Sequence, residues 1–437
     1  MQVLLLSTYD LGHQPFGLAS PAAWLRSHAH QVTCADLSVT GLPEDVVRAA
    51  QLVAFYLPMH TAARLAVPVI ETVRQLNPQA QICCYGLYGP LNAEYLRGLG
   101  VTTILGGEFE ADLLALADGL PAQATPVAAL PRLAFQVPDR TSLTALSSYS
   151  KLRSNGSAKV VGYTEATRGC KHICRHCPVV NVYQGSFRVV QSDIVLQDIR
   201  QQIERGAQHI TFGDPDFWNA PTHALRIIES MHAEFPEVTY DATIKIEHLR
   251  LQSRLLPELK RTGCVFVTSA VESLDDNVLS MLDKGHTRQD FIDVVSDFRE
   301  IGLALAPTFI AFTPWTTRAS YREFLECLLE LELVENVSPV QLALRLLIPS
   351  GSRLLELDDI RAVVQGFEAP ALLHRWKHPD PAIDALAVAS LKIAGKKASR
   401  SEIFAKVWEL AQEKRLPDEY DLMPRATIPY MDEPWYC

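Results

Sequence analysis

The sequence predicts an α/β protein in three parts. A doubly wound parallel-sheet domain comes first, then a partial, open barrel of six β/α units, then a small helical extension. Three observations carry this prediction. Short apolar runs alternate with amphipathic stretches from Met1 to about residue 120. The same alternation restarts at Lys159 and continues to about residue 352. Beyond that point the apolar period becomes mainly helical.

In the first part, "QVLLLST", "VTCADL", "LVAFYL", "QICCYG" and "TTILGG" are strand-length apolar runs bounded by turn residues. Helix-like stretches such as "PAAWLRSHA", "TAARLAVPVIETVRQLNP" and "NAEYLRGLG" lie between them. Pro58, Gly86 and Gly106–Gly107 follow strands, so the loops at the strand C-ends are rich in Gly and Pro. Ligands of such sheets bind outside those ends. This domain is expected to span 1–122. A Pro/Ala-rich and then polar stretch, 123–158, reads as a linker.

The second part, 159–352, opens with "KVVGYTEAT". It continues through "HITFGDPDF", "TYDATIKI", "CVFVTSAVES", "ALAPTFIAF" and "VQLALRLLIP", each followed or preceded by an amphipathic helix. Six units are too few for a closed eight-stranded barrel. The third part, 353–437, holds the amphipathic stretches "AIDALAVASLKIAGKK" and "SEIFAKVWELAQEK", then an aperiodic tail rich in Pro and aromatics.

Composition narrows the function. The 437 residues carry a net charge of −10 and are 48% hydrophobic, as in a packed globular protein. No long basic stretch occurs, so tracking along a nucleic-acid backbone is not expected. No apolar run reaches membrane-spanning length, and the short N-terminal run lacks a basic flank. A cytoplasmic location with reduced thiols is therefore expected. Nine cysteines, an odd number, also argue against a complete disulfide framework.

Three of those cysteines fall in "TRGCKHICRHCP": Cys170, Cys174 and Cys177. Close thiolates on one loop can hold an iron–sulfur cluster, and three ligands leave one iron of a 4Fe–4S cluster open. Two other readings exist. His172 or His176 could complete a zinc site, although the distant second pair usual for zinc is absent. Cys174 and Cys177 also have the spacing of a redox pair.

"EATRGCKHICRHCP", directly after the first strand of a β/α series, resembles the cluster loop of the radical S-adenosylmethionine (radical SAM) superfamily. His176 departs from the aromatic residue more usual before the third cysteine. The resemblance implies a TIM-like partial barrel and a 4Fe–4S cluster on Cys170, Cys174 and Cys177. It also implies S-adenosylmethionine bound at the open iron and its reductive cleavage to a 5′-deoxyadenosyl radical. An external one-electron reductant such as flavodoxin or ferredoxin is implied as partner.

By the same resemblance, Gly213 and Asp214 of "FGDPDF" occupy the place of the motif that meets the methionine amine. A carboxylate acceptor suits an ammonium group; a helix cap by Asp216 or Asn219 is the plainer reading of that stretch. Ser269 and Glu272 of "VTSAVES" correspond to residues bordering ribose and methionine. Lys245 and Arg345, charged positions among apolar neighbours, are candidate substrate contacts.

The front domain is similar to the flavodoxin-like, Rossmann-type domain of the cobalamin-binding class within that superfamily. The matching pieces are Met59, His60 and Thr61; Gly86 and Tyr88; and Gly106, Gly107 and Glu108 of "GGEFE". Asp10 and His13 are one residue too far apart for the histidine-ligand motif, so cobalt ligation by histidine is not expected. The resemblance implies methyl transfer to a small metabolite or peptide. Alternatives are a domain that has lost cobalamin and serves other hydrogen-abstraction chemistry, and a non-catalytic sensor. The ending "DEPWYC" is similar to tails of radical proteins that continue through a second cysteine or selenocysteine into Ala-Glu-Pro. That likeness implies a thiol at Cys437 directed to the substrate site and a selenocysteine codon read as a stop just beyond it; a disordered end is the plainer reading.

Overall fold

The computed structural model describes residues 1–120, 127–154, 156–417 and 429–432. Near the N-terminus the apolar runs form β1 (Gln2–Ser7), β2 (Gln31–Asp36), β3 (Leu52–Tyr56), β4 (Gln81–Tyr85), β5 (Thr103–Gly107) and β6 (Val127–Ala129). They make one parallel sheet in the order β2-β1-β3-β4-β5-β6. Leu4 and Leu6 of β1 pack into one buried cluster and Val3 and Leu5 into another, so helices cover both faces. The order reverses between β1 and β3. The loops after these two strands therefore diverge and open a crevice at the C-terminal edge.

Strands β7 (Lys151–Ser154), β8 (Ser157–Thr164), β11 (His209–Phe212), β12 (Thr239–Thr243), β13 (Cys264–Glu272) and β14 (Ala304–Phe309) build a second sheet, edged by β17 (Tyr430–Met431). Its order is β14-β13-β12-β11-β8-β7-β17. Strands β8 and β11–β14 run parallel, while β7 and β17 are antiparallel additions beside β8. The sheet curls into a half barrel with helices outside. The sixth unit contributes a parallel bridge, Phe312 to Arg345, in place of a ladder. Pro339 opens a 3₁₀ turn, Pro339–Leu342, that uses up the start of that run. Between the barrel strands lie the short antiparallel pair β9 (Thr167–Gly169) and β10 (Phe187–Val189).

The stretch between the sheets is anchored. Phe135 packs in the barrel's core. The fully buried Arg140 binds both oxygens of Asp198 at 2.8 and 2.9 Å and the Tyr163 carbonyl at 2.6 Å. The helices Pro381–Ala394 and Arg400–Gln412 lie against the same core through Ile383, Leu386, Phe404 and Trp408. A hairpin of β15 (Val364–Glu368) and β16 (Leu373–Trp376) sends Leu372 into the front domain's core. No helix among the described residues is long and apolar enough to cross a membrane.

Candidate active site

The cysteine loop starts where β9 ends. Gly169 has φ +78°, and a Cβ there would sit 2.3 Å from the Tyr183 ring and 2.7 Å from the Ser186 carbonyl. Only glycine lets the chain turn here. Cys177 precedes the helix Pro178–Tyr183, with Pro178 at its first turn, where a missing N–H costs nothing. Neighbouring elements hold the loop between. Asn219 Oδ1 accepts from Lys171 N at 3.2 Å, and its Nδ2 donates to the Gly169 carbonyl at 3.1 Å. Arg175 donates to the Met281 carbonyl at 2.8 Å, and Arg353 to that of Ile173 at 2.8 Å.

All three loop cysteines are free thiols. Burial pushes the Cys170 thiol up to about 12 and that of Cys177 to about 11. A metal at these sulfurs would remove that cost by taking the thiolate directly. One zinc ion would gather its sulfurs to about 3.8 Å from each other. Among the described residues the only His, Cys, Asp or Glu trio with ligand atoms inside 4.8 Å is His172, Asp216 and His248. Contacts already link the trio. Lys245 Nζ is 3.0 Å from His172 Nδ1, and the two Nε2 atoms are 3.1 Å apart. His248 Nδ1 lies 2.7 Å from Asp216 Oδ2, an ion-pair distance but bent away from hydrogen-bond geometry.

Beside the loop a cavity of about 620 Å³ joins the two sheets. Leu11 and Met59 border it from the switch-point loops, and Thr167, Gly169 and Val179 from around the cysteines. Inside the barrel, Tyr163, Thr211, Asp241 and Phe266 face it as one register row. Thr243, Thr268 and Ala306 form the next row. Gly213 also borders it; a Cβ there would meet the Tyr163 hydroxyl at 1.8 Å.

Residues 164–328 match the model of the radical SAM superfamily, and all three cysteines fall inside the match. The chain carries a radical SAM domain. A stretch of 150 residues is 32% identical to a bacteriochlorophyllide d C-12(1)-methyltransferase of Chlorobaculum tepidum, covering 33% of this chain and 32% of that protein. The chain thus spans about a third of that curated relative's length. Two solved structures share the fold. The cobalamin-dependent radical SAM enzyme OxsB, with aqua-cobalamin bound, aligns at TM-score 0.70 and 14% identity. That alignment covers 89% of this chain and 66% of OxsB. The radical SAM methyltransferase TsrM of Kitasatospora setae, with tryptophan and an S-adenosylmethionine analogue, aligns at 0.66 and 14% identity. There the coverage is 96% of this chain and 97% of TsrM. A radical SAM domain implies a 4Fe–4S cluster and S-adenosylmethionine.

Several polar residues expected at the ligands have other duties in this radical SAM domain. Asp214 accepts from Ala166 N at 3.0 Å, Thr167 N at 2.5 Å and Thr167 Oγ1 at 2.6 Å. Its carboxylate is spent on the approach to the cysteine loop, and it does not border the cavity. Ser269 is fully buried and donates to the Ile244 carbonyl at 2.6 Å. Glu272, at φ +69°, lies 3.0 Å from His176 Nε2 and 3.4 Å from Lys284 Nζ. Burial opposes its charge, but Lys284 and His176 outweigh it and hold the carboxyl down at about 2. His176 thus has a polar partner where an aromatic ring was the expectation. Of the two expected capping residues, Asp216 accepts from Trp218 N at 3.1 Å, whereas Asn219 serves the loop.

Among the substrate expectations, Lys245 pairs with Glu247 at 2.8 Å. Arg345 pairs with Asp384 at 2.7 Å and lies 4.0 Å over the Trp376 ring, away from the cavity. Cys437 lies outside the described residues. In the front domain, Met59, Gly86 and Gly107 border the cavity, and the two glycines have φ +103° and +71°. His60, Thr61, Tyr88, Gly106 and Glu108 do not. His60 Nε2 meets the Ala371 carbonyl at 2.7 Å, and Tyr88 is buried beside the His60 ring. Glu108 accepts from the Tyr183 hydroxyl at 3.0 Å and from Arg168 at 3.1 Å.

Arg168 was visible only as part of "TRGC". Its guanidinium is buried against Glu110 at 2.6 Å, Glu165 at 2.8 Å and Glu108, with Ser20 at 3.2 Å. Its partners include both acids of "GGEFE", so the two motif stretches meet. Burial and the surrounding acids push Glu165 up to about 7, with Arg168 opposing.

Proposed function

We propose that the chain is a radical SAM enzyme that transfers a methyl group from cobalamin to a small metabolite or peptide. The observation that carries this reading is the shared cavity. The residues flanking the cysteine loop, Thr167 to Gly169 and Val179, and the switch-point crevice of the front domain border one space. When bound, the 4Fe–4S cluster and S-adenosylmethionine supply a 5′-deoxyadenosyl radical after one-electron reduction, and cobalamin supplies a transferable methyl group.

The residues fit those groups. Cys170, Cys174 and Cys177 would hold the cluster, being free and near one another in sequence; burial disfavours the bare thiolates of Cys170 and Cys177, which a metal would stabilise. Gly86 and Gly107 would let a large ring approach backbone. A Cβ at Gly86 would meet the Leu57 carbonyl oxygen at 2.8 Å, so no side chain can intrude there. Thr243, Thr268 and Ala306 keep the barrel interior wide with small side chains. Asp214 and Asn219 hold the loop still by accepting its N–H groups. The partners we assign are an external one-electron reductant and a small substrate.

Anaerobic reconstitution tests this reading. Brown protein with about four irons per chain, reductive formation of 5′-deoxyadenosine and cobalamin retained after gel filtration are expected. Colourless protein holding one zinc would overturn it. Iron and cleavage without retained cobalamin would leave the radical chemistry and remove the methyl donor.

A further inference from the structure

Three carboxylates face the cavity around the Tyr163 ring. Asp10 comes from the loop after β1, Glu165 from the turn after β8 and Asp241 from β12. Asp10 is 6% exposed, and its Oδ2 has no hydrogen-bond partner. Asp241 takes His209 Nε2 at 2.8 Å and Thr211 Oγ1 at 2.6 Å, both on Oδ1. Glu165 takes Arg168 on Oε2. The nearby positive charge already has partners, Glu165 among them. Arg168 serves Glu108 and Glu110 as well as Glu165, and Arg400 donates to the Glu335 carbonyl and lies over the Tyr430 ring.

The other walls are aromatic. The His13 and Tyr163 rings lie 4.9 Å apart, with Phe16 6.4 Å from Tyr163. Tyr56 lies 6.2 Å from Phe109. Burial holds His13 down at about 4, so it adds no positive charge near neutrality. Buried carboxylates framed by aromatic faces attract an organic cation twice, through ion pairing and through the ring quadrupoles. Burial, with Asp36 and Glu165 nearby, pushes the Asp10 carboxyl well above its ordinary range; a cation there would favour its charged form, whereas an anionic group would oppose it.

We propose that the substrate carries a cationic nitrogen, an ammonium or guanidinium, which docks against Asp10, Glu165 and Asp241 beside Tyr163. This rests on the radical SAM reading above and adds the substrate's charge class. The cation is distinct from the sulfonium of S-adenosylmethionine.

The test uses reconstituted, cobalamin-loaded protein saturated with S-adenosylhomocysteine. Calorimetry compares 2-phenylethylamine, 2-phenylethanol and 3-phenylpropionate, which share a body and differ in charge. The amine is expected to bind about tenfold or more tighter than the alcohol, and the acid weakest. D10N and D241N should each bring the amine toward the alcohol's affinity and leave the alcohol unchanged. Equal binding of amine and alcohol in the unmutated protein would overturn the proposal, whatever the variants' folding. So would amine binding that S-adenosylmethionine displaces completely, because the acidic wall would then belong to the sulfonium. Iron content is read on the same sample, and 5′-deoxyadenosine formation on a portion of the same preparation given S-adenosylmethionine and reductant in place of S-adenosylhomocysteine. If both are present and the amine preference is absent, only this proposal fails.

Discussion

Arg168 Nη1 lies 2.6 Å from Glu110 Oε1, and this contact ties the strand entering the cysteine loop to the front domain. Both partners are buried, so neither can be hydrated alone. Replacing Arg168 with Met leaves Glu108, Glu110 and Glu165 facing one another without a cation. A loss of about 3–5 kcal/mol is expected, because a buried acid stripped of its partner keeps its desolvation cost. R168K should recover part of it, since an ammonium cannot fork between carboxylates as a guanidinium does. Urea unfolding checks this. A loss under about 1 kcal/mol in R168M would refute the latch.

Cys174→Ala should remove cluster and S-adenosylmethionine cleavage together. Iron analysis and chromatography of 5′-deoxyadenosine report the two separately. Retained cleavage would refute the ligand assignment.

Gly169→Ala tests the turn rather than the ligands. At φ +78° any side chain is strained, and this one would strike Tyr183 and a backbone oxygen. With all three thiols intact, the variant should still take up less iron on reconstitution, read from its visible absorbance. Full uptake with unchanged stability would show that the loop can move aside.

Glu165 gives a pH dependence. Its folded carboxyl titrates near 7 against an ordinary 4.5, so the folded state holds the proton longer than the unfolded chain. Its contribution to stability is therefore highest below about 4.5 and falls as pH rises to about 7. E165Q lacks this titration. Relative to the parent, it should gain about 2–3 kcal/mol between pH 5 and pH 8, measured by denaturant unfolding at each pH. A constant difference across that range would contradict the shift.

The sheets and the cysteine loop were legible because their signals are local. Apolar runs such as "QVLLLS" and "VTCAD" became strands, and three cysteines within eight residues mark a ligand loop wherever the chain runs. Polar roles were less legible because their partners are distant. Asp214 looks like a ligand in "FGDPDF" until its acceptor oxygens are found on the N–H groups of Ala166 and Thr167. Arg345 looks like an anion grip until Asp384 and the Trp376 ring are found beside it. Asp10, Glu165 and Asp241 come from three separate elements and share no sequence pattern. The last β/α unit was overread because "VQLALRLLIP" is apolar enough for a strand, but its start is taken by the turn that Pro339 opens.

Strand β17 pairs residues 430 and 431 with Arg153 and Leu152 of β7. During synthesis, β7 emerges some 280 residues before the segment that covers it. Until then the barrel sheet keeps an unpaired margin, the kind of edge that invites foreign strands. Closing this seam needs a contact between distant parts of the chain, which slows folding. Completing this wall of the barrel therefore waits on a segment some 280 residues further along the chain.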